Sequence, residues 1–150
     1  NPIAPKAARR IRDFYSLGDE QMDGKVETLL ELGQRAGTDK FVILPVAIKP
    51  EHTRSINNFI LDQVANQPKF YGFGTVHAGM EQLSDEVDYI LGAGLKGIKL
   101  HPDSQVFPID DPRLFPMYEH LQGKIPVIFH VGDDRYDYSD SDPGGFPDHP

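Results

Sequence analysis

Four short apolar runs recur along the chain, at 41–46, 70–76, 95–100 and 126–131. Their starts lie about 25–31 residues apart, the length of a βα unit. Near-continuous apolar runs of this size suit strands buried on both faces of a parallel sheet. Between the runs the apolar positions switch to helical spacing. Residues 53–66 set Ile56, Phe59, Ile60 and Val64 on one stripe. Residues 84–91 do the same with Val87, Ile90 and Leu91, and 112–121 with Leu114, Met117, Tyr118 and Leu121. Gly92 or Gly94 suits the end of the middle helix, and Pro112 the start of the last. Ahead of the first run, 24–36 reads as a helix with Val26, Leu29, Leu30 and Leu32 apolar and Gly37 as its stop. Residues 4–15 read as a shorter amphipathic helix.

Strands alternating with helices predict right-handed crossovers and a parallel sheet, so the fold class is α/β. Helices precede the first strand, which predicts a further strand upstream of Asn1. The last run leads into an Asp-, Ser- and Gly-rich stretch of turn chemistry. Both ends therefore read as cut, with a domain over 1–140 and a loop or truncated junction over 141–150.

Two of the strands end in reactive side chains: Gly97-Ile98-Lys99-Leu100-His101-Pro102, and Pro126-Val127-Ile128-Phe129-His130-Val131-Gly132-Asp133. Ligands and catalytic groups of parallel α/β proteins gather at the C-terminal ends of strands. Alternation along a strand puts Lys99 and His101 on one face, with Ile98 and Leu100 on the other. Two neighbouring strands thus offer an amine and two imidazoles to one mouth, the layout of a metal or acid–base site.

His130 is a candidate metal ligand, since a neutral imidazole suits Zn²⁺, and a core histidine is the competing reading. Lys99 would cost free energy if buried unpaired, so it reaches solvent, pairs with a carboxylate or is modified. His101 precedes Pro102 and is held extended, as a ligand, a substrate contact or a loop residue. His77, just after Val76, is a candidate for the same mouth. Asp133 and Asp134 are candidates for substrate binding, or for a solvated loop. His52, His120 and His149 read as surface residues. Gly92-Ala93-Gly94 ends a helix instead of opening one, so it is no phosphate cradle.

Composition narrows the partners. Hydrophobic residues make up 39% and charged residues 25%, a globular balance. The net charge is -8, and no basic block exceeds Arg9-Arg10 with Arg12 nearby, which argues against a nucleic-acid partner. No apolar run approaches the ~18 residues of a membrane span, and no signal peptide is present. The chain has no cysteine, so it has neither a disulfide framework nor a thiolate metal site. These features fit a cytoplasmic protein with a small-molecule substrate.

Four segments together resemble a known superfamily: Ile3-Ala4-Pro5-Lys6-Ala7, Gly94 through Pro102, Asp110-Asp111-Pro112 and Pro126 through Gly132. It is the amidohydrolase superfamily, and within it the amidohydrolase-2 branch of metal-dependent hydrolases and decarboxylases. The likeness runs over nearly all of 1–140. It implies a (β/α)8 TIM barrel with its metal at the C-terminal mouth, and it makes the four runs barrel strands two to five. It implies His130 as a metal ligand and Lys99 or His101 as the strand-four group that acts in catalysis and orients the substrate. In binuclear members a strand-four lysine is carboxylated and bridges two metals. The implied cofactor is a divalent metal, zinc before manganese, which lowers the pKa of a bound water from 15.7 towards ~7. The implied substrate is a small anionic carbonyl compound that loses a C–N or C–O bond or a carboxylate.

The family's HxH pair, strand-six histidine and strand-eight aspartate have no match here. A full barrel takes ~250 residues, so the chain is expected to be about the first half of such an enzyme, with the catalytic base elsewhere. Two other functions compete. One is a metal-free lyase in which Lys99 forms a Schiff base. The other is a non-catalytic half-barrel scaffold whose open edges make a homo-oligomer.

Overall fold

The computed structural model describes residues 23–131 together with Ala8 and Arg9. The expected helix over 4–15, the strand-end residues Gly132, Asp133 and Asp134, and the junction over 141–150 fall largely or wholly outside the described residues. The chain divides into two compact units, 1–40 and 41–150.

In the first unit, helix α1 (Val26–Arg35) falls within the predicted 24–36. Asp23 opens it: its carboxylate accepts from the Lys25 N–H at 3.0 Å and from the Thr28 hydroxyl at 2.9 Å. Gly37 closes it at φ +71°, with the Thr38 N–H donating to the Gly33 carbonyl at 2.8 Å.

The second unit is a mixed α/β structure with short parallel strands in two sheets. Strand β1 (Phe41–Ile43) pairs with β2 (Phe70–Gly72). Strand β3 (Gly74–Thr75) pairs with β4 (Ile98–Leu100), and β4 with β5 (Val127–Phe129). Only Phe73 separates β2 from β3, and the predicted strand 70–76 changes partner there. The Phe73 N–H donates to the Ile43 carbonyl at 3.0 Å, whereas the Gly74 N–H donates to the Gly97 carbonyl at 2.8 Å. Within each sheet the strands follow chain order, and all the pairings are parallel.

Helices fill the gaps where the apolar stripes place them. Helix α2 (Thr53–Asn66) has the predicted bounds and follows a 3-10 turn at Pro50–His52. Helix α3 (Leu83–Gly92) is a residue longer at each end than predicted. A short helix α4 (Pro102–Gln105) was not anticipated. The last predicted helix divides into a 3-10 turn, Pro112–Leu114, and helix α5 (Phe115–Leu121).

One sheet face belongs to these helices. Ile98 and Leu100 are fully buried in a cluster with Ile60, Ile90, Met117 and Leu121, with Val127 and Phe129 packed against it. Gly72 and Gly74 lie on this face because the helices press close. A Cβ at Gly72 would come 2.6 Å from Ile60, and one at Gly74 would come 2.8 Å from Ile90. The opposite face carries Val42, 54% exposed, and Tyr71, 44% exposed. Further along that face, the Phe73 ring lies over Gly97, and Lys99 follows Gly97 two residues on. This face is mixed: Val42 and Tyr71 are exposed, whereas Phe73, Thr75 and Lys99 are buried.

The strands are shorter than the apolar runs. The first was expected over 41–46 and stops at Ile43. Pro45 has no N–H to give a ladder, and a side chain takes that place. Asn57, fully buried on α2, accepts from the Thr75 N–H at 2.9 Å and donates to the Thr75 carbonyl at 2.9 Å. Its amide also donates to Glu86 at 2.7 Å, and Glu86 accepts from Arg54 at 2.7 Å. The buried Glu86 carboxylate is therefore paired and hydrogen-bonded, the condition under which burial is tolerated. Among the described residues no helix is long and apolar enough to cross a membrane.

Thr53, at the start of α2, is fully buried, and its hydroxyl has no hydrogen-bond partner among the described residues. Valine has nearly the same shape without the stranded oxygen. Thr53→Val is therefore expected to stabilise the fold by on the order of 1 kcal/mol, read as a higher thermal midpoint.

Candidate active site

The register Lys99↔Ile128 brings the ends of β4 and β5 level, and the His130 N–H donates to the Leu100 carbonyl at 3.0 Å. His101 and His130, each just past its strand, are thereby adjacent. Their rings stack with centroids 4.1 Å apart and planes 13° from parallel. The expected pairing of the two imidazoles at one mouth is present.

Lys99 stands on the face opposite Ile98 and Leu100, between Thr75 and Ile128 in register. It is 7% exposed. Desolvation holds its ammonium below the ordinary lysine range. Among the described residues no carboxylate pairs with it, so the salt-bridge reading has no partner there.

His101 has φ/ψ of -135° and 84°, outside the helical region that the following proline disfavours but short of the expected extended geometry, and it caps α4. Its Nδ1 accepts from the Ser104 N–H at 3.3 Å, so the neutral ring carries its proton on Nε2. Its own N–H donates to Gln105 Oε1 at 2.8 Å. The Gln105 amide nitrogen then donates to two carbonyls, Ala47 at 2.9 Å and Val76 at 2.7 Å. One buried carboxamide thus joins the chain beyond β1, beyond β3 and beyond β4. Sequence reasoning passed over Gln105, although Pro102 and Asp103 after His101 form a helix-start signal that marks α4.

His77 sits at the same end and is already committed. Its Nδ1 accepts from the Gly79 N–H at 3.0 Å, and its ring also hydrogen-bonds the Ile48 backbone and stands edge-on to Phe107 at 6.5 Å. Burial depresses its pKa, with Arg113 pushing the same way against the Ile48 hydrogen bond and Glu51. Such a ring orders the loop and has little left for a substrate. Behind His130, the Tyr118 ring meets Phe129 at 6.2 Å, and its hydroxyl donates to the Ile109 carbonyl at 2.8 Å. Burial and the Asp111 and Asp110 charges push that phenol up to about 12. Asp133 lies outside the described residues.

A protein zinc site takes at least three protein ligands. The described residues contain no group of three His, Asp or Glu side chains able to hold a metal ion. His130 can give one imidazole nitrogen, while His101 has its Nδ1 engaged by Ser104. The described residues do not by themselves fit a metal centre.

The buried amine has a pH signature. A lysine whose folded pKa lies below its ordinary 10.5 costs stability while it must stay charged. The cost is complete below the folded pKa and disappears as pH rises past 10.5. Lys99→Met is therefore expected to raise the thermal midpoint near neutral pH, with the gap to wild type narrowing as pH rises towards 10.5. No family model, curated protein or solved structure matches the chain, so the reading of the site rests on this geometry.

Proposed function

We propose that residues 41–131 are βα units of a (β/α)8 barrel, and that the mouth holding Lys99, His101 and His130 is the active site of an amidohydrolase-type enzyme. The substrate is a small anionic carbonyl compound, and the reaction is hydrolysis of a C–N or C–O bond or decarboxylation. The parallel pairings β1 with β2, β3 with β4 and β4 with β5, with helices packed on one face, support the barrel. One observation carries the functional reading: Lys99, in the middle of β4, is a buried ammonium without a carboxylate among the described residues. A substrate carboxylate would supply the missing charge, and in a site of low dielectric that pairing is strong and directional. His101 and His130 border the bound anion on the mouth side. Zinc is the cofactor this reading calls for, with His130 as one ligand and the others outside the described residues.

The test is thermal-shift titration with malonate and, separately, with Zn²⁺. Malonate is expected to raise the midpoint of wild type and to lose its effect in Lys99→Met. Zn²⁺ is expected to stabilise wild type but not His130→Gln. No shift with either probe overturns the reading.

A second reading is favoured by the same desolvated amine. A lysine with lowered pKa is nucleophilic in its neutral form and can attack a carbonyl carbon, expelling water to form an iminium. Borohydride reduction in the presence of pyruvate is then expected to leave a stable secondary amine on the Lys99 peptide, read by mass spectrometry. An unmodified peptide excludes the Schiff-base lyase and leaves the hydrolase reading intact.

A further inference from the structure

We infer that Gln105 is the positioning residue of this mouth, setting the His101 ring against His130 by tying three strand ends together through one carboxamide. The inference rests on the mouth being the functional site.

Gln105 is 2% exposed, and both ends of its amide are engaged. The oxygen accepts the His101 N–H, which fixes the backbone from which the imidazole projects. The nitrogen donates both protons, one to Ala47 and one to Val76. Ala47 is held from its other side too, its N–H donating to the Thr75 hydroxyl at 3.4 Å. Displacement of any one of these segments would be felt at His101.

The turn that aims Gln105 inward is strained. Val106 has φ 55° and ψ 59°, a left-handed conformation that a β-branched side chain avoids. It is 51% exposed, while its neighbours Gln105 and Phe107 are both buried. The strain holds because Gln105 and Phe107 must both turn in. The chain thus accepts an unfavourable backbone to bring this amide to the three strand ends, which a plain loop glutamine would not require. Ser104, one residue before Gln105, completes the device by holding Nδ1 of His101 as an acceptor.

Long-range proton–nitrogen correlation spectra of the imidazoles test this, recorded on the full chain with thermal midpoints measured on the same samples. In wild type, His101 is expected to show an unprotonated Nδ1, a protonated Nε2 and ring-current shifts from His130. Gln105→Met is expected to lose those ring-current shifts and to mix the His101 tautomers, while the signals of His120, held by Asp88 on the helix side, stay in place. Gln105→Glu keeps the acceptor but, as a carboxylate, loses both donors, so it is expected to displace the stack if Gln105→Met does not fold. Two results would overturn the inference. One is a wild-type His101 protonated at Nδ1. The other is a folded Gln105 variant with wild-type His101 and His130 signals. No zinc or malonate is added, so a failure of ligand binding counts against the proposed function alone.

Discussion

The strands of the second unit pair for two or three residues and then part, and everything at their C-terminal ends depends on what replaces the ladder. A backbone N–H or carbonyl that leaves a ladder inside a protein needs another partner. Two buried carboxamides take over here. Asn57 serves both backbone groups of Thr75, as a neighbouring strand would. Gln105 then serves the carbonyls of Ala47 and Val76 and the N–H of His101. A side-chain amide carries donor and acceptor in fixed geometry, so it can imitate a peptide group while letting the strands splay. Just past the β4–β5 ladder, the His101 and His130 rings stack.

The same division explains the two faces of the sheet. Toward α2, α3 and α5 the strands present Ile98, Leu100, Val127 and Phe129, with glycines where a helix comes closest. Away from them the chain presents Val42, Tyr71, Phe73 over Gly97, and Lys99. An amine on the helix face would lie among aliphatic side chains with no route to solvent. On the other face it is desolvated by its neighbours, the setting in which an ammonium gains most from a paired anion.

Much of this was legible in the chain. The stripe Ile56, Phe59, Ile60 and Val64 located α2 with its observed bounds because a long amphipathic period leaves one solution. Alternation correctly split Lys99 from Ile98 and Leu100, and the matched spacing of the two motifs anticipated the meeting of His101 with His130. Strand lengths were not legible. Apolar character continues through Val46 and Val76, but pairing is decided by which backbone groups find partners, and Pro45 cannot donate. Gln105 was invisible for a related reason. A glutamine in a polar turn looks solvated, and its three partners lie 4, 29 and 58 residues away. Charge and periodicity carry no record of contacts that distant.

Lys99, the left-handed Val106 and the stacked imidazoles each run against what stability alone would select. A methionine would fill the place of Lys99 without desolvating a charge, and a glycine would adopt the backbone of Val106 without strain. Such conflicts between local preference and global fold are expected to be scattered if they are accidents and clustered if they serve one purpose. Here they gather at one end of one sheet, within a single stretch of chain and the strand beside it. Asn57 and Glu86, on the helix side, are by contrast hydrogen-bonded and paired, and they read as scaffold. The structure therefore separates two kinds of buried polarity. One is satisfied internally and holds the helices to the sheet. The other, Thr53 apart, is Lys99, an amine with no carboxylate partner among the described residues, and it is there that a ligand would complete the electrostatics.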